Sequence, residues 1–155
     1  LLKDFIKIYK YIISNDNLSR NGKPSHDIFQ DLLYKLASKY SLECKKEYVG
    51  VRWYNSEKNA WRRGRIDIAY FKEGEPFLIL EIDSGLKGHS VRKLKANNQF
   101  KYRVWYCYNK KANTKEYYEL LDKIDPEREI IYITKNDNDI AMLLNNKCEV
   151  NVNDK

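Results

Sequence analysis

Hydrophobic and polar positions recur with two different periods along this chain, and the switches between them outline its elements. From Leu2 to Ser14, the residues Phe5, Ile6, Tyr9, Ile12 and Ile13 return at helical spacing with charges between them, which predicts an amphipathic helix. A polar loop covers 15–22. Pro24 and Ser25 read as the start of a second helix, with Ser25 as N-cap. Ile28, Phe29, Leu32, Leu33, Leu36 and Ala37 form its apolar face as far as Tyr40. Residues 45–54 alternate with period two and predict a strand, with a turn over 55–59. Strands over 64–71 and 77–83 flank a polar segment that contains Gly74 and Pro76. A flexible connection over 84–88 leads to a short basic helix over 90–98. A strand over 102–108 follows, then a helix over 115–124 capped by Thr114 and stopped by Asp125 and Pro126. A strand over 129–134 and a last helix over 136–145 precede a fraying tail.

This order predicts an α/β (α+β) fold with a mixed central sheet. A three-strand antiparallel meander comes first, and the later strands are reached through helices, which is how parallel neighbours are joined. Helices are expected on both faces. The length of 155 residues suits one domain. Its expected parts are an N-terminal helix and loop (1–22), a core (24–134) and a C-terminal helix and tail (136–155).

Carboxylates interrupt the two central strands. Asp67 lies between Ile66 and Ile68, Glu81 lies between Leu80 and Ile82, and Asp83 follows. Strand parity places Arg65, Asp67 and Ala69 on one face, opposite Ile66, Ile68 and Tyr70. In the next strand it places Phe77, Ile79, Glu81 and Asp83 together. One hairpin register sets Asp67 beside Glu81. Ionised carboxylates in a half-buried sheet repel and are costly to desolvate. A hard divalent cation with oxygen ligands would compensate them; solvent exposure or pairing with Arg and Lys is the plain alternative.

Composition narrows the partners. The chain is 43% hydrophobic and 33% charged, as expected of a folded water-soluble domain. No apolar run approaches the ~20 residues that span a bilayer, and the charges spread through the first helix make it read as amphipathic rather than as a signal peptide. The net charge is +7 and the pI about 9.2, which permits nucleic-acid binding. Cys44, Cys107 and Cys148 are odd in number and far apart, so they read as reduced thiols of an intracellular protein. His26 and His89 are the only histidines. No Gly-rich phosphate loop, GxSxG or HExxH is present.

The basic residues cluster where the acidic strands begin and end. Arg62, Arg63 and Arg65 enter the Asp67 strand, and Lys87, Arg92, Lys93 and Lys95 follow the Glu81 strand. Phosphate contacts from such clusters give salt-sensitive, sequence-independent affinity. Trp53, Tyr54 and Trp61 either stack on unpaired bases or pack against the fold.

A helix, a meander with Asp on its second strand and Glu on its third, a helix and a further strand together resemble the PD-(D/E)XK nuclease superfamily, which has the restriction-endonuclease-like fold. The match covers about 24–134. The small basic chain also resembles nucleases of archaeal filamentous viruses, acting in the cytoplasm of the cell or of the infected host. The resemblance implies a Mg²⁺- or Mn²⁺-dependent deoxyribonuclease. It implies Asp67 and Glu81 as catalytic carboxylates and metal ligands, the Ile82 carbonyl as a further ligand, and DNA as partner. The motif lysine is replaced by Asp83, which could hold a second ion or a water. In similar families the lysine moves to the following helix, which makes Lys93 the candidate and Lys87 the second choice. The family's acidic residue on the first core helix has no single match among His26, Asp27, Gln30 and Asp31. Ile66 stands where the motif has Pro. Little sequence specificity is expected, and a homodimer is one way to cut both strands. The rival readings are a DNA-binding domain with a decayed site, a DNA-processing subunit targeted by a partner, and a structural or RNA-binding protein with salt-bridged acids.

Overall fold

The computed structural model describes residues 1–15, 22–109, 111–112 and 114–134, with backbone alone for 22–24. The expected last helix over 136–145, the tail and Cys148 lie outside the described residues. The elements in order are α1 (Leu2–Ser14), α2 (Gly22–Lys39), β1 (Glu43–Val49), β2 (Trp53–Asn55), β3 (Ala60–Arg62), β4 (Arg65–Lys72), β5 (Glu75–Asp83), α3 (Gly88–Ala96), β6 (Tyr102–Cys107), α4 (Lys115–Ile124) and β7 (Ile131–Ile133).

The main sheet has the order β1-β4-β5-β6-β7. β1, β4 and β5 pair antiparallel. β5, β6 and β7 pair parallel, with α3 and α4 as crossovers. This is the expected mixed α/β sheet with helices on both faces. On one face α1 and α2 bury Phe5, Tyr9, Phe29 and Leu33 against Ile68, Leu80, Val104 and Tyr106. On the other, α3 and α4 bury Val91, Leu94, Tyr117 and Leu121 against Ile79, Trp105 and Tyr132. Alternate residues of β6 feed the two layers, as a strand buried on both faces requires.

The predicted strand over 45–54 is two strands. β1 ends at Val49, and β2 leaves the main sheet to pair with β3 in a separate hairpin. Asn55 Oδ1 accepts from the amides of Glu57 and Lys58, an Asx turn that closes this hairpin. Gly50 sits at the branch point, where a Cβ would stand 2.8 Å from the Asn97 side chain. Asn97 Oδ1 in turn accepts from Val51 N at 3.0 Å.

Ser25 is not an N-cap. α2 starts at Gly22, and Ser25 is a buried residue within it. Thr114 does precede α4, but its hydroxyl donates to Lys111 O rather than capping the helix.

Strand parity fails at two places. Glu73 and Gly74 both have positive φ, so β4 and β5 meet in a tight two-residue turn. The register then shifts between Tyr70 and Phe71. Phe77 is the extra residue of that bulge, and it packs with Leu78 on the α1–α2 side rather than with Ile79. The second break is at Asp67. Ile66 packs on the α3–α4 side, while Ile68 and Tyr70 pack on the α1–α2 side. Opposite Asp67, Glu47 has φ +52°, and the β4–β5 pairing ends at Ile68 and Leu80. Beyond this point β4 keeps its pairing with β1 but not with β5, and Ile66 changes sides where that second partner is lost.

Candidate active site

Asp67 occupies the fork where β4 parts from β5. Continuing the register from Ile68 and Leu80 sets Asp67 opposite Glu81, one of the registers open to the sequence. The carboxylate of Asp67 reaches across the gap, and its Oδ2 accepts from Ile82 N at 2.7 Å. α2 secures Asp67 from the other side. His26 and Gln30 are one helical turn apart and so share a face. His26 Nε2 lies 3.1 Å from Asp67 Oδ1. Gln30 Nε2 donates to Asp67 O and to Glu47 Oε1, each at 2.9 Å. Of the four residues open on this helix, His26 and Gln30 reach Asp67. Asp27 is exposed and Asp31 is ion-paired to Lys46. The bond to Asp67 raises the His26 pKa above its ordinary 6.5, against the opposing effect of burial.

Glu81 is only 3% exposed. Burial pushes its pKa up to about 8, and the neighbouring Asp67 adds to the rise. Lys93, one turn from the end of α3, brings Nζ to 2.7 Å from Glu81 Oε1. The approach is off a hydrogen-bonding direction, so Oε1 remains a buried acceptor without a directed partner. The contact is an ion pair once Glu81 is ionised. It lowers the Glu81 pKa but does not offset burial and Asp67. Lys93 also donates to Arg65 O. Its stem crosses Gly64, where a Cβ would stand 3.0 Å from Lys93 Cδ.

Both oxygens of Asp83 have protein partners. Its Oδ2 accepts from Trp105 Nε1 at 2.7 Å, and its Oδ1 pairs with Lys87 at 3.3 Å. The indole donor holds it against β6. Among the described residues, no group of three or more His, Cys, Asp and Glu side chains is assembled to hold a metal. What remains for a cation is the pair Asp67 and Glu81, the latter with its Oε1 in ion-pair contact with Lys93. That donor set fits Mg²⁺, which keeps several waters and takes one or two carboxylates.

The basic residues divide. Arg62, Arg63, Lys87, Arg92 and Lys93 line one cavity of about 520 Å³ beside the carboxylates. Arg65 is exposed outside it. Lys95 faces away, paired with Asp125 at 3.4 Å and Glu127 at 3.5 Å. Trp53 is buried, whereas Tyr54 and Trp61 are 48% and 61% exposed on the outer face of the β2–β3 hairpin. Glu47 escaped the sequence reading. Its only sequence signal was a polar residue in an exposed strand, and its proximity to Asp67 depends on β1–β4 pairing.

Cys44 and Cys107 are free thiols, and burial pushes both pKa values up to about 12. They are not nucleophiles at neutral pH. No helix among the described residues is long and apolar enough to cross a membrane.

No protein-family model matches the chain, and neither the curated proteins nor the solved structures contain a match.

Proposed function

We propose that this protein is a metal-dependent nuclease that hydrolyses phosphodiester bonds of DNA with little sequence specificity. The observation that carries the reading is the pair Asp67 and Glu81 at a fork in the sheet, with the Lys93 ammonium 2.7 Å from Glu81 Oε1. A buried Glu81 and a half-buried Asp67 on adjacent strands repel each other when both are ionised, and a positive charge between them offsets that repulsion.

Asp67 and Glu81 are the residues that would hold Mg²⁺ or Mn²⁺, with the Ile82 carbonyl as the further oxygen ligand. When bound, such a cation supplies an activated water and charge relief on a phosphoryl oxygen. The chain's own residues prepare the site. The Ile82 amide and His26 fix both oxygens of Asp67. Gln30 fixes the backbone beneath it. Lys93 stands where it can offset negative charge that develops on the phosphate, a role of positioned cations in phosphoryl chemistry. Arg62, Arg63, Lys87 and Arg92 supply phosphate contacts that position a strand without reading its sequence.

The engagement of Asp83 by Trp105 and Lys87 favours one alternative, a DNA-binding domain without catalysis. Cleavage of linear and circular DNA with Mg²⁺, Mn²⁺ or EDTA separates the two, run on wild type beside Glu81→Ala. The nuclease reading expects cation-dependent cleavage that the variant loses, with DNA affinity largely retained. Salt-sensitive binding without cleavage by either protein would establish the alternative.

A further inference from the structure

The cavity beside the carboxylates has chemistry of its own. It measures about 520 Å³ and, among its lining residues, Lys93 is the one in contact with Glu81. One wall is the β2–β3 hairpin, which presents Trp53, Lys58 and Arg62. The opposite wall is the start of α3, where Lys87 is the N-cap residue and no side chain caps the first amides. Helix starts of this kind favour anions.

The charges on the walls are not balanced. Glu57 is the one acidic lining residue, and it is paired with Arg92 at 2.8 Å and Lys123 at 3.3 Å. Lys87 and Lys93 have Asp83 and Glu81 as partners. Lys58, Arg62 and Arg63 have no carboxylate partner among the described residues; Arg63 Nε donates only to Gly50 O, at 3.2 Å. This surplus exceeds the single charge of a phosphodiester. It suits a phosphomonoester, which carries about −1.5 to −2 at pH 7 and three acceptor oxygens. Trp53, Leu86 and Leu120 add an apolar side to the same cavity, the character that a nucleoside requires next to its phosphate.

We propose that this cavity binds the terminal phosphomonoester of a nucleic-acid strand, with the end nucleotide against its apolar side. The protein then engages strand ends, and the end held in the cavity lies one Lys93 side chain away from Glu81. The inference deepens the nuclease reading and rests on it for the identity of the strand.

The test is fluorescence anisotropy of the whole chain in EDTA. The probes are single-stranded oligonucleotides identical except for a 5′-phosphate, a 3′-phosphate or hydroxyl ends, with a nucleoside monophosphate as competitor. One phosphorylated probe is expected to bind roughly ten-fold tighter than the hydroxyl probe, the scale of one charge-assisted contact set. Lys58→Ala/Arg62→Ala removes two exposed side chains and is expected to abolish that preference while circular dichroism stays unchanged. Equal binding of all three probes would overturn the proposal, as would a preference that survives the double substitution. Displacement by the nucleoside monophosphate at matched concentration would replace the strand end with a free nucleotide. No divalent cation is present, so the two readings fail separately. Phosphate preference in a protein that never cuts DNA sinks the nuclease, and cleavage without the preference sinks the cavity assignment.

Discussion

Replacing Glu81 by Gln keeps the shape of the side chain and removes its titration. In the folded protein the Glu81 pKa stands at about 8 against an ordinary value of 4.5, chiefly because the group is buried and next to Asp67. The sign follows from proton binding. Between those two values the folded chain holds a proton that the unfolded chain has released, so stability falls as pH rises. The contribution is fully present below pH 4.5 and lost as pH rises through about 8. At about 1.4 kcal/mol per pH unit, the wild type loses on the order of 4–5 kcal/mol across the window. Against a typical domain stability of about 5–15 kcal/mol, that is a large fraction. Glu81→Gln lacks this loss. The assay is urea unfolding in EDTA at intervals from pH 5 to 8.5, with both proteins side by side. They should be equally stable near pH 5, and the variant should be the more stable at pH 8.5. His26 adds a slope of the same sign, since its raised pKa gives stability below 6.5 that is lost as pH rises through the raised value. It is present in both proteins and cancels in the difference. Saturating Mg²⁺ should restore wild type at high pH, by about 2.7 kcal/mol at a hundred times Kd, and leave Glu81→Gln unchanged. Parallel stability curves for the two proteins in EDTA would refute the burial argument, and an equal response to Mg²⁺ would refute Glu81 as a ligand.

Other outcomes follow from the same geometry. NMR titration should find His26 above and His89 below the ordinary 6.5, since Asp67 binds the first and loss of water lowers the second; Asp67→Asn should bring His26 down and leave His89 in place. Lys93→Met should lower the cleavage rate by roughly 10²–10³, the usual effect of losing one charge-stabilising donor, and Gly64→Ala should lower it less, because the new Cβ meets the Lys93 stem at 3.0 Å; single-turnover cleavage measures both. Asp125 is fully buried and accepts from the amides of Glu129 and Ile130 and from Tyr132 OH. Asp125→Ala should therefore cost about 3 kcal/mol or more in urea unfolding, by leaving buried donors unpaired.

Local pattern was enough for most of the architecture. The 3.6 period of α1, the apolar runs of β4, β5 and β6 and the helices between the later strands are each encoded within short windows. Burial of an apolar face has the same period wherever the element lies. A register that sets Asp67 beside Glu81 was legible as one choice, but the tight turn at Glu73 and Gly74 by itself would set Asp67 opposite Leu80, and the bulge at Phe77 makes the difference. The branching of 45–54 was not, since Trp53 could continue β1 or turn into a hairpin, and a contact with Asn97 far along the chain decides it. The parity breaks at Asp67 and Phe77 were hidden for a like reason: a bulge and a strand fork are set by neighbouring strands. Tertiary structure alone chose His26 and Gln30 over Asp27 and Asp31, since all four sit on α2 and only its packing angle decides which face meets β4. It alone gave Asp83 to Trp105, turned Lys95 toward Asp125 and carried Lys93 to Glu81. Period and composition determine which side chains are charged and which elements carry them. Which charges meet depends on contacts between residues distant in sequence, and those exist only once the sheet has closed.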